Sequence, residues 1–373
     1  MTNSPAISVI IPMYNTEKYI GECLDSLLVQ TFKNFEVIVV DDCSTDSSSA
    51  IVESYIPKFG GRLTLLHTKK NSGNAAFPRN KGLVLSHGEY IYYIDSDDWI
   101  TPTTLDELYT LAKNYDADVL YAERHFETDA QGKDIRFTAE QMGKLVDQPT
   151  SDSENLEDRV NNLLQRDIFG PPWNELVRRK MLVENEIVFP EVRPGDDHIW
   201  ILHLFFTAKK FLRIPSIGYF WRQTEISITR EVQRTPQKST TLWLGATIMG
   251  LKHLDKILSN IDFFKKFPQY HYTVLNYFIE RNFNLSFRAS LSLPQFAIYE
   301  AIKQEFGNKL GEQDVLVSAL CTLVNTLQKN LVIVECEFKK VIEQKEKALK
   351  AKKQEFNELA AQVQQVIDNL EKK

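Results

Sequence analysis

The first hundred residues alternate between strand-like and helix-like patterns, and this alternation most constrains the fold. Apolar, β-branched runs that indicate buried strands lie at residues 7–11, 35–40, 63–67 and 90–94. Apolar residues at helical spacing lie between them, at residues 17–30, 47–56 and 79–86. Short connections between such elements predict an α/β fold, in which helices flank a mostly parallel sheet. Ligands of such sheets bind beyond the carboxyl ends of the strands.

An acidic turn, Asp95-Ser96-Asp97-Asp98, follows the fourth strand-like run directly. Three carboxylates crowded together repel one another unless a cation neutralises them. Oxygen ligands of this kind suit Mg²⁺ or Mn²⁺, which proteins hold with one or two carboxylates and the phosphates of a substrate. The alternative is an acidic turn that caps the helix after it. The turn alone leaves both interpretations open.

Two further polar groups follow the second and third strand-like runs. Asp41-Asp42 ends one strand, and a carboxylate there could accept hydrogen bonds from a ribose hydroxyl or a base N–H. Asn71, Arg79 and Asn80 follow the next strand, and Arg79 could pair with a phosphate. Helix capping near Asp42 and a surface position for Arg79 are the competing interpretations.

Four segments in this order resemble glycosyltransferase family 2. They are Pro12-Met13-Tyr14-Asn15, Val40-Asp41-Asp42-Cys43-Ser44-Thr45-Asp46, Asn71 with Arg79-Asn80-Lys81-Gly82, and Gly88-Glu89-Tyr90 with Asp95-Ser96-Asp97-Asp98. The resemblance implies a GT-A fold, a Rossmann-like α/β architecture, with an inverting mechanism and Mn²⁺ or Mg²⁺ as cofactor. A uridine-diphosphate sugar is the donor that it implies. Cys43 stands where the family commonly has Gly, so we expect backbone strain if that position needs a left-handed conformation.

The resemblance also assigns roles to single residues. Asp42 would bind the uracil edge with help from Asn71 and Arg79, and Asp97 would be the main metal ligand. The other implied donor contacts are Glu17 and Asp95 at the ribose, Pro12 and Tyr14 in the nucleoside pocket, and Ser96 in the nucleotide-sugar site. Near the end of the domain, Tyr219-Phe220-Trp221-Arg222 with Ser227 resembles a segment that closes over the diphosphate, which makes Arg222 and Ser227 predicted phosphate contacts.

An inverting transfer also needs a base, because the acceptor hydroxyl loses its proton as it attacks. The base should come from outside the nucleotide-binding half, and Gly195-Asp196-Asp197 at the start of a predicted helix is the candidate. It resembles the Glu-Asp pair of the family, with Asp196 in place of Glu. We assign Asp197 as the base and Asp196 as its support or as a contact to the acceptor. Helix capping by one of the two is the alternative.

The rest of the chain is predicted to be helical. We expect a GT-A domain over residues 1–230, with a nucleotide-binding half at 1–105 and an acceptor half at 106–230. A helical domain would follow at 231–330. Leu331, Val334, Phe338 and Val341 recur at three- and four-residue spacing, which predicts one long helix over 331–373 and a coiled coil that joins copies of the chain. A solvated helix and a basic helix peripherally associated with a membrane are the alternatives.

Composition excludes some classes of protein. The formal net charge of −6 argues against nucleic acid as a partner. The N-terminus lacks the pattern of a secretory signal, and no apolar run is long enough for a transmembrane helix. The four cysteines form no metal-binding or CxxC pattern, so we expect free thiols and a cytoplasmic protein, with the inner face of the membrane as an alternative location.

Three functions compete at this point. The first is a transferase that acts on a glycan, polymer or protein acceptor. The second is a non-catalytic protein that binds sugar nucleotides or assembles through its terminal helix. The third is a nucleotidyltransferase, which usually has a Gly-rich phosphate loop after the first strand, where this chain has Pro12-Met13-Tyr14-Asn15. Because every carboxylate that the mechanism needs is present, the sequence favours the first.

Overall fold

The structure is a computed structural model. It describes residues 4–133, 135–137, 145–166, 168, 170–192, 195–224, 236–290, 336–350 and 352–354. Contacts divide the chain into two compact units, Met1–Ala289 and Ser290–Lys373. The predicted site residues lie in the first unit, except that Ser227 falls outside the described residues.

Two sheets lie in the first unit. In chain order the strands are β1 (Ile7–Met13), β2 (Phe35–Asp41), β3 (Leu63–His67), β4 (Tyr90–Tyr93), β5 (Trp99–Ile100), β6 (Val119–Ala122), β7 (Phe126–Thr128), β8 (Arg136–Phe137), β9 (Thr150–Ser151), β10 (Glu175–Arg178), β11 (Phe211–Ile214) and β12 (Tyr219–Arg222). The larger sheet has the order β3-β2-β1-β4-β10-β6-β11-β9 and the smaller one β5-β12-β7-β8. The strands β1 to β4 are parallel, while β10 runs antiparallel to both β4 and β6. The predicted mostly parallel sheet is therefore confirmed.

Helices cover both faces of the larger sheet. They are α1 (Ile20–Leu28), α2 (Ser48–Tyr55), α3 (Ala76–Leu85), α4 (Thr104–Asn114), α5 (Leu156–Arg166), α6 (Arg179–Glu184), α7 (Asp196–Thr207), α8 (Pro236–Asn260), α9 (Asp262–Lys266) and α10 (Pro268–Ser290). All seven residues of β1 are buried, because alternate side chains enter cores on opposite faces. Val9 and Ile11 pack with Leu24 of α1, whereas Ile10 packs with Leu83 of α3.

The first compact unit extends beyond the boundary predicted near residue 230. Leu254 and Leu258 of α8, Phe264 of α9 and Phe278 of α10 pack in the same core as α7. Burying these side chains against one another removes a large apolar area from water. The structure consequently places the break at residues 289 and 290, and it does not separate α8 to α10 from the sheet.

Less of the terminal region is described. Residues 336–350 and 352–354 are helical, in agreement with the long helix predicted there, and the remainder of 331–373 lies outside the described residues. Within the described ranges, no helix is long and apolar enough to cross a membrane. Cys23, Cys43 and Cys336 are free thiols, as predicted.

Candidate active site

The acidic turn after β4 leaves the Asp97 residue partly exposed and buries Asp98. The Asp97 carboxylate accepts a long hydrogen bond of 3.4 Å from the Thr224 hydroxyl. Burial raises the pKa of Asp97 to about 6, and the neighbouring Asp95 adds to the shift, while Arg222 and the Thr224 hydroxyl oppose it. A carboxylate with this environment gains from a nearby cation.

Asp98 has a different role, as part of the framework of the turn. Its two oxygens accept hydrogen bonds from the Tyr219 hydroxyl at 2.6 Å and the Arg222 backbone N–H at 2.7 Å. Asp98 is 1% exposed. Burial raises its pKa well above the usual range, and the nearby carboxylates of Asp97 and Asp95 add to this shift. Asp98 therefore connects β12 to the acidic turn, and Asp95 and Asp97 are the carboxylates of the turn that remain partly exposed.

Arg222 has partners other than the phosphate predicted for it. Its Nε donates to the Asp97 carbonyl oxygen at 2.9 Å, and its Nη2 pairs with Glu22. The guanidinium lies 4.4 Å from the Trp99 ring centroid, and the residue is 4% exposed. In this conformation Arg222 stabilises the acidic turn. To contact a phosphate, its guanidinium would have to leave the Asp97 carbonyl oxygen or Glu22. Ser96 is also buried, at 5% exposure.

The turn after β2 is held together by hydrogen bonds. The Asp42 carboxylate accepts hydrogen bonds from the Ser72 N–H at 2.8 Å, the Ser72 hydroxyl at 2.7 Å and the Thr68 hydroxyl at 3.0 Å. An ionised carboxylate has about four acceptor positions, so capacity remains for one uracil N–H. Cys43 has a φ of 66°, the left-handed conformation expected where the family commonly has Gly.

The remaining predicted donor contacts lie around the same turn. Tyr14 is 46% exposed, and Pro12 is buried within β1. One oxygen of the exposed Glu17 carboxylate accepts a hydrogen bond from the Ser47 N–H at 2.9 Å, at the start of α2, and the predicted ribose contact stays a prediction. Asn71 is exposed, and its side chain accepts a hydrogen bond from the Gly73 N–H at 2.5 Å.

Arg79 brings the two halves of the predicted site together. Its Nη2 donates to Asp95 at 2.8 Å, and its Nη1 lies 3.6 Å from the Asp196 carboxylate. The guanidinium thus faces these two carboxylates and the residue is 6% exposed, while its predicted uracil contact stays a prediction.

Asp196 and Asp197 form the first turn of α7. Gly195 precedes them with a φ of 100°, a conformation that favours glycine and that turns the chain into the helix. Burial raises the pKa of Asp196 to about 7, with Asp197 adding to the shift and Arg79 opposing it. The Asp197 carboxylate accepts a hydrogen bond only from the adjacent His198 N–H among the bonds described for it. Such a carboxylate can accept a proton from a hydroxyl group.

Sequence reasoning missed two polar groups below α7 and beside the acidic turn. Glu175 is fully buried in β10, and its Oε2 accepts a hydrogen bond from the Trp200 indole at 3.1 Å. Thr224 contacts Asp97 from the segment after β12. The position of Glu175 at the start of an apolar strand could have indicated a buried carboxyl group. No sequence pattern indicated Thr224.

The donor set of the acidic turn fits a divalent cation in part. Within the part of the chain that the structure describes, no group of three or more His, Cys, Asp or Glu side chains is arranged to hold a metal. Asp97 nevertheless supplies a hard oxygen ligand beside a second carboxylate, and magnesium-type sites complete their coordination with waters and substrate phosphates. The residues present therefore fit a metal that a phosphorylated ligand helps to bind.

Comparisons with known proteins agree with this architecture. Residues 8–183 match the family model of Glycosyl transferase family 2. GlyG of Streptococcus pneumoniae serotype 4, a glycosyltransferase, is 31% identical over 230 residues, which cover 61% of this chain and 74% of GlyG. EpsH of Bacillus subtilis is 32% identical, over 62% of this chain and 64% of EpsH.

A solved structure shares the fold. Staphylococcus aureus TarS 1-349 in complex with UDP-GlcNAc superimposes with a TM-score of 0.61 and 25% identity, over 86% of this chain and 87% of that chain. In sequence, the match to TarS, a poly(ribitol-phosphate) beta-N-acetylglucosaminyltransferase, covers 35% of that protein. The chain thus spans between about a third and three quarters of these relatives. With the GT-A fold and the acidic turns in place, the chain belongs to glycosyltransferase family 2.

Proposed function

We propose that this protein is an inverting glycosyltransferase that moves a sugar from a UDP-sugar to a hydroxyl of a glycan, polymer or protein acceptor. The observation that carries the proposal is the position of Arg79. One guanidinium contacts Asp95 beside the metal-side carboxylate and Asp196 beside the base. This shared contact supports a single site that contains both the proposed metal ligand and the proposed base.

In the proposed reaction, Asp197 takes the proton of the acceptor hydroxyl as its oxygen attacks the anomeric carbon. The bond between that carbon and the donor diphosphate breaks, and the electron pair leaves with the diphosphate. Inversion follows because the oxygen attacks from the face opposite the leaving group. Asp42, whose carboxylate is fixed by Ser72 and Thr68, would orient the uracil ring.

Asp97 would hold Mn²⁺ or Mg²⁺ together with the donor diphosphate. A cation bound there would stabilise the negative charge of the leaving diphosphate. The raised pKa of Asp97, caused by burial and by Asp95, supports this role, because a nearby cation would favour the ionised form.

The relatives suggest which substrates to test first. TarS has been solved with UDP-GlcNAc, and two relatives are named for poly(ribitol-phosphate) as acceptor, one with N-acetylglucosamine and one with glucose. UDP-GlcNAc and UDP-glucose are therefore the first donors to offer, with poly(ribitol-phosphate) as the first acceptor.

The test measures UDP release from each donor in Mn²⁺, with and without acceptor, for the wild type and Asp197→Asn. We expect the variant to lose about 100- to 10,000-fold in turnover, the usual contribution of a general base, while it still binds UDP. Asp262→Asn, at an exposed position in α9, is the matched control and should retain full activity. Wild-type binding of UDP without any turnover would favour the non-catalytic function, and equal activity of Asp197→Asn would reject this base.

We also propose that copies of the chain associate through residues 331–373. The described part exposes apolar side chains along one helix, with Phe338 at 66%, Ile342 at 53% and Leu349 at 70%. Phe338 and Ile342 are four residues apart and Leu349 follows after seven, with Lys345 between them, and an exposed apolar series of this kind suits a partner helix. Light scattering should give a multimer for the wild type and a monomer for Phe338→Glu with Leu349→Glu, and identical masses would reject the proposal. Cytoplasmic location and peripheral membrane association stay predictions.

A further inference from the structure

Asn15 and Cys43 both adopt left-handed backbone conformations, in the turns that follow β1 and β2. Asn15 has a φ of 51° in the first turn, and Cys43 has a φ of 66° in the second. Asparagine enters this region more readily than most residues, because its short polar side chain can form local hydrogen bonds. Cysteine has no such compensation, so the surrounding structure must hold Cys43 in this conformation.

Asn15 fixes the chain that follows Cys43. Its side-chain oxygen accepts a hydrogen bond from the Thr45 N–H at 2.8 Å, and its own N–H donates to the Ser44 hydroxyl at 3.0 Å. The Ser44 N–H donates in turn to the Asp41 carboxylate at 3.0 Å, which closes the turn. The two residues after Cys43 are therefore both bonded to Asn15.

The chain before Cys43 is fixed separately. The Asp42 N–H donates to the Met13 carbonyl oxygen at 2.8 Å, which joins the ends of β2 and β1. Cys43 consequently lies between one residue held by β1 and two residues held by Asn15. Its left-handed conformation is set by these neighbours on both sides.

Further hydrogen bonds join the same two turns nearer to α2. The Thr16 N–H donates to the Ser48 hydroxyl at 2.8 Å, and the Glu17 N–H donates to the Asp46 carboxylate at 3.0 Å. These bonds hold the start of α2 and do not involve the Asn15 side chain. Loss of that side chain should therefore loosen the segment next to Cys43 and leave α2 attached.

We propose that Asn15 is a positioning residue, which holds Cys43 in its left-handed conformation. The conformation at Cys43 sets where the preceding Asp42 carboxylate lies. The inference rests on the proposed function, in which Asp42 orients the uracil ring of the donor. Glycine at position 43 would adopt this conformation without support. Because the chain has cysteine there, the turn depends on the contacts from Asn15.

The decisive variant is Asn15→Gly, which can still adopt the left-handed conformation at residue 15 but lacks the side-chain acceptor. When a smaller fraction of the protein has the binding conformation, the apparent affinity falls by the same factor. We expect the Kd for UDP in Mn²⁺, measured by calorimetry, and the KM for the UDP-sugar to rise by about 10-fold, while kcat stays within about twofold. Unchanged UDP affinity would overturn the proposal, and so would a fall in kcat with an unchanged KM.

Cys43→Gly provides a rescue that a merely structural role would not give. The double variant, Asn15→Gly with Cys43→Gly, should bind UDP within about threefold of the wild type, because glycine at position 43 no longer needs the Asn15 side chain. A general loosening of the turn gives the opposite result, since two added glycines cost more chain entropy than one. If the double variant binds UDP no better than Asn15→Gly, the positioning role is wrong.

Glu186→Gly is the matched control. Glu186 also has a left-handed φ, of 51°, but it is exposed and follows α6, outside both turns. This variant measures the general cost of a glycine at a left-handed position. We expect its Kd for UDP and its KM to stay within about twofold of the wild type. A loss equal to that of Asn15→Gly would contradict the specific role of Asn15.

A second measurement does not depend on nucleotide. Melting temperatures of Asn15→Gly, Cys43→Gly and the double variant form a cycle, and coupled residues give shifts that do not add. Cys43→Gly should raise the melting temperature more in the Asn15→Gly background than in the wild type, and additive shifts would overturn the proposal. The proposed function fails separately, if the wild type neither binds UDP nor releases it from any UDP-sugar, and the cycle still tests the coupling in that case.

Discussion

Two acidic turns follow β2 and β4, parallel strands that flank β1 in one sheet, yet the carboxylates of the two turns have different surroundings. In the turn after β2, Asp46 accepts hydrogen bonds from the Glu17 and Ser48 backbone N–H groups, each at 3.0 Å. Burial alone would raise the pKa of Asp46, but the hydrogen bonds from Ser48 and Glu17 outweigh it and lower that pKa. Protein N–H groups therefore satisfy the Asp46 carboxylate without a cation.

The turn after β4 has carboxylates close together and few donors for one of them. Asp97 has a single long hydrogen bond from another residue's side chain, and burial with Asp95 nearby raises its pKa. Two turns with similar numbers of acidic residues can thus differ in function. One can cap a helix, while the other can bind a positively charged ligand. The difference lies in the donors that surround each oxygen, and these come from segments distant in sequence, such as Thr224 at the end of β12.

The largest expected effect separates the two turns directly. Asp97→Asn should reduce turnover of the UDP-sugar by about 100- to 1,000-fold, because a neutral amide oxygen is a weaker ligand for the proposed cation beside the leaving diphosphate. Asp46→Asn should leave turnover within about threefold and cost about 1 kcal/mol of stability, since it weakens a helix cap. Both variants are assayed for UDP release over a Mn²⁺ titration and for thermal unfolding. Equal turnover of the two variants would contradict the distinction.

A smaller effect concerns pH. Asp196 has its pKa raised to about 7 by burial and by Asp197, against the opposing effect of Arg79. Asp196 loses its charge below that pH and no longer pairs with Arg79, so kcat should fall by up to about tenfold per unit as pH drops from 7 to 5.

The same shift acts on stability in the opposite direction. A raised folded-state pKa means that the folded protein binds the proton more tightly than the unfolded chain, whose Asp titrates near 3.9. The contribution of Asp196 to stability is therefore present at acidic pH and is lost as pH rises toward 7. Asp196→Asn should remove both trends. A wild-type kcat that stays flat from pH 5.5 to 8 would contradict this interpretation.

Most of the fold could be predicted from local sequence patterns. Strands β2 and β3 coincide with the apolar runs that predicted them. Helix α7 begins directly after Gly195, as the acidic residues there indicated. The smaller sheet was missed because its strands are only two to four residues long, too short for an alternating pattern. The extent of the first unit was missed because burial of α8 to α10 against α7 depends on tertiary packing.

The candidate site was predicted as a set of residues more completely than as a set of contacts. The acidic turns and Gly195-Asp196-Asp197 came from local motifs. The partners of Arg79, Arg222 and Glu17 could not be foreseen, since each pairs with a group brought near by folding. The sequence of a motif is the same whether its charged side chain contacts a ligand or a protein carboxylate. Long-range pairing therefore limits what a motif alone can assign.

The smallest expected effect extends the comparison to Glu175, a carboxyl group buried deeper than either turn. Trp200 donates to its Oε2, while its Oε1 has no hydrogen-bond partner, and burial raises its pKa well above the usual range, with Asp197 adding to the shift. Burial and the nearby Asp197 thus favour the protonated form of Glu175 in the folded protein. Because the unfolded chain releases this proton near pH 4.5, the stability of the wild type should decline as pH rises above that value, by up to about 1.4 kcal/mol per unit.

Glu175→Gln removes this titration and retains an oxygen that can accept the Trp200 hydrogen bond. Its unfolding free energy should match the wild type near pH 4.5 and exceed it by a growing margin toward pH 7, as measured by urea denaturation at each pH. Glu53→Gln at an exposed position of α2 should change stability by less than about 0.5 kcal/mol throughout. If the margin of Glu175→Gln instead stays constant or shrinks with pH, then Glu175 is ionised in the fold, and its negative charge would lie beside Asp197 with only Arg79 to offset it.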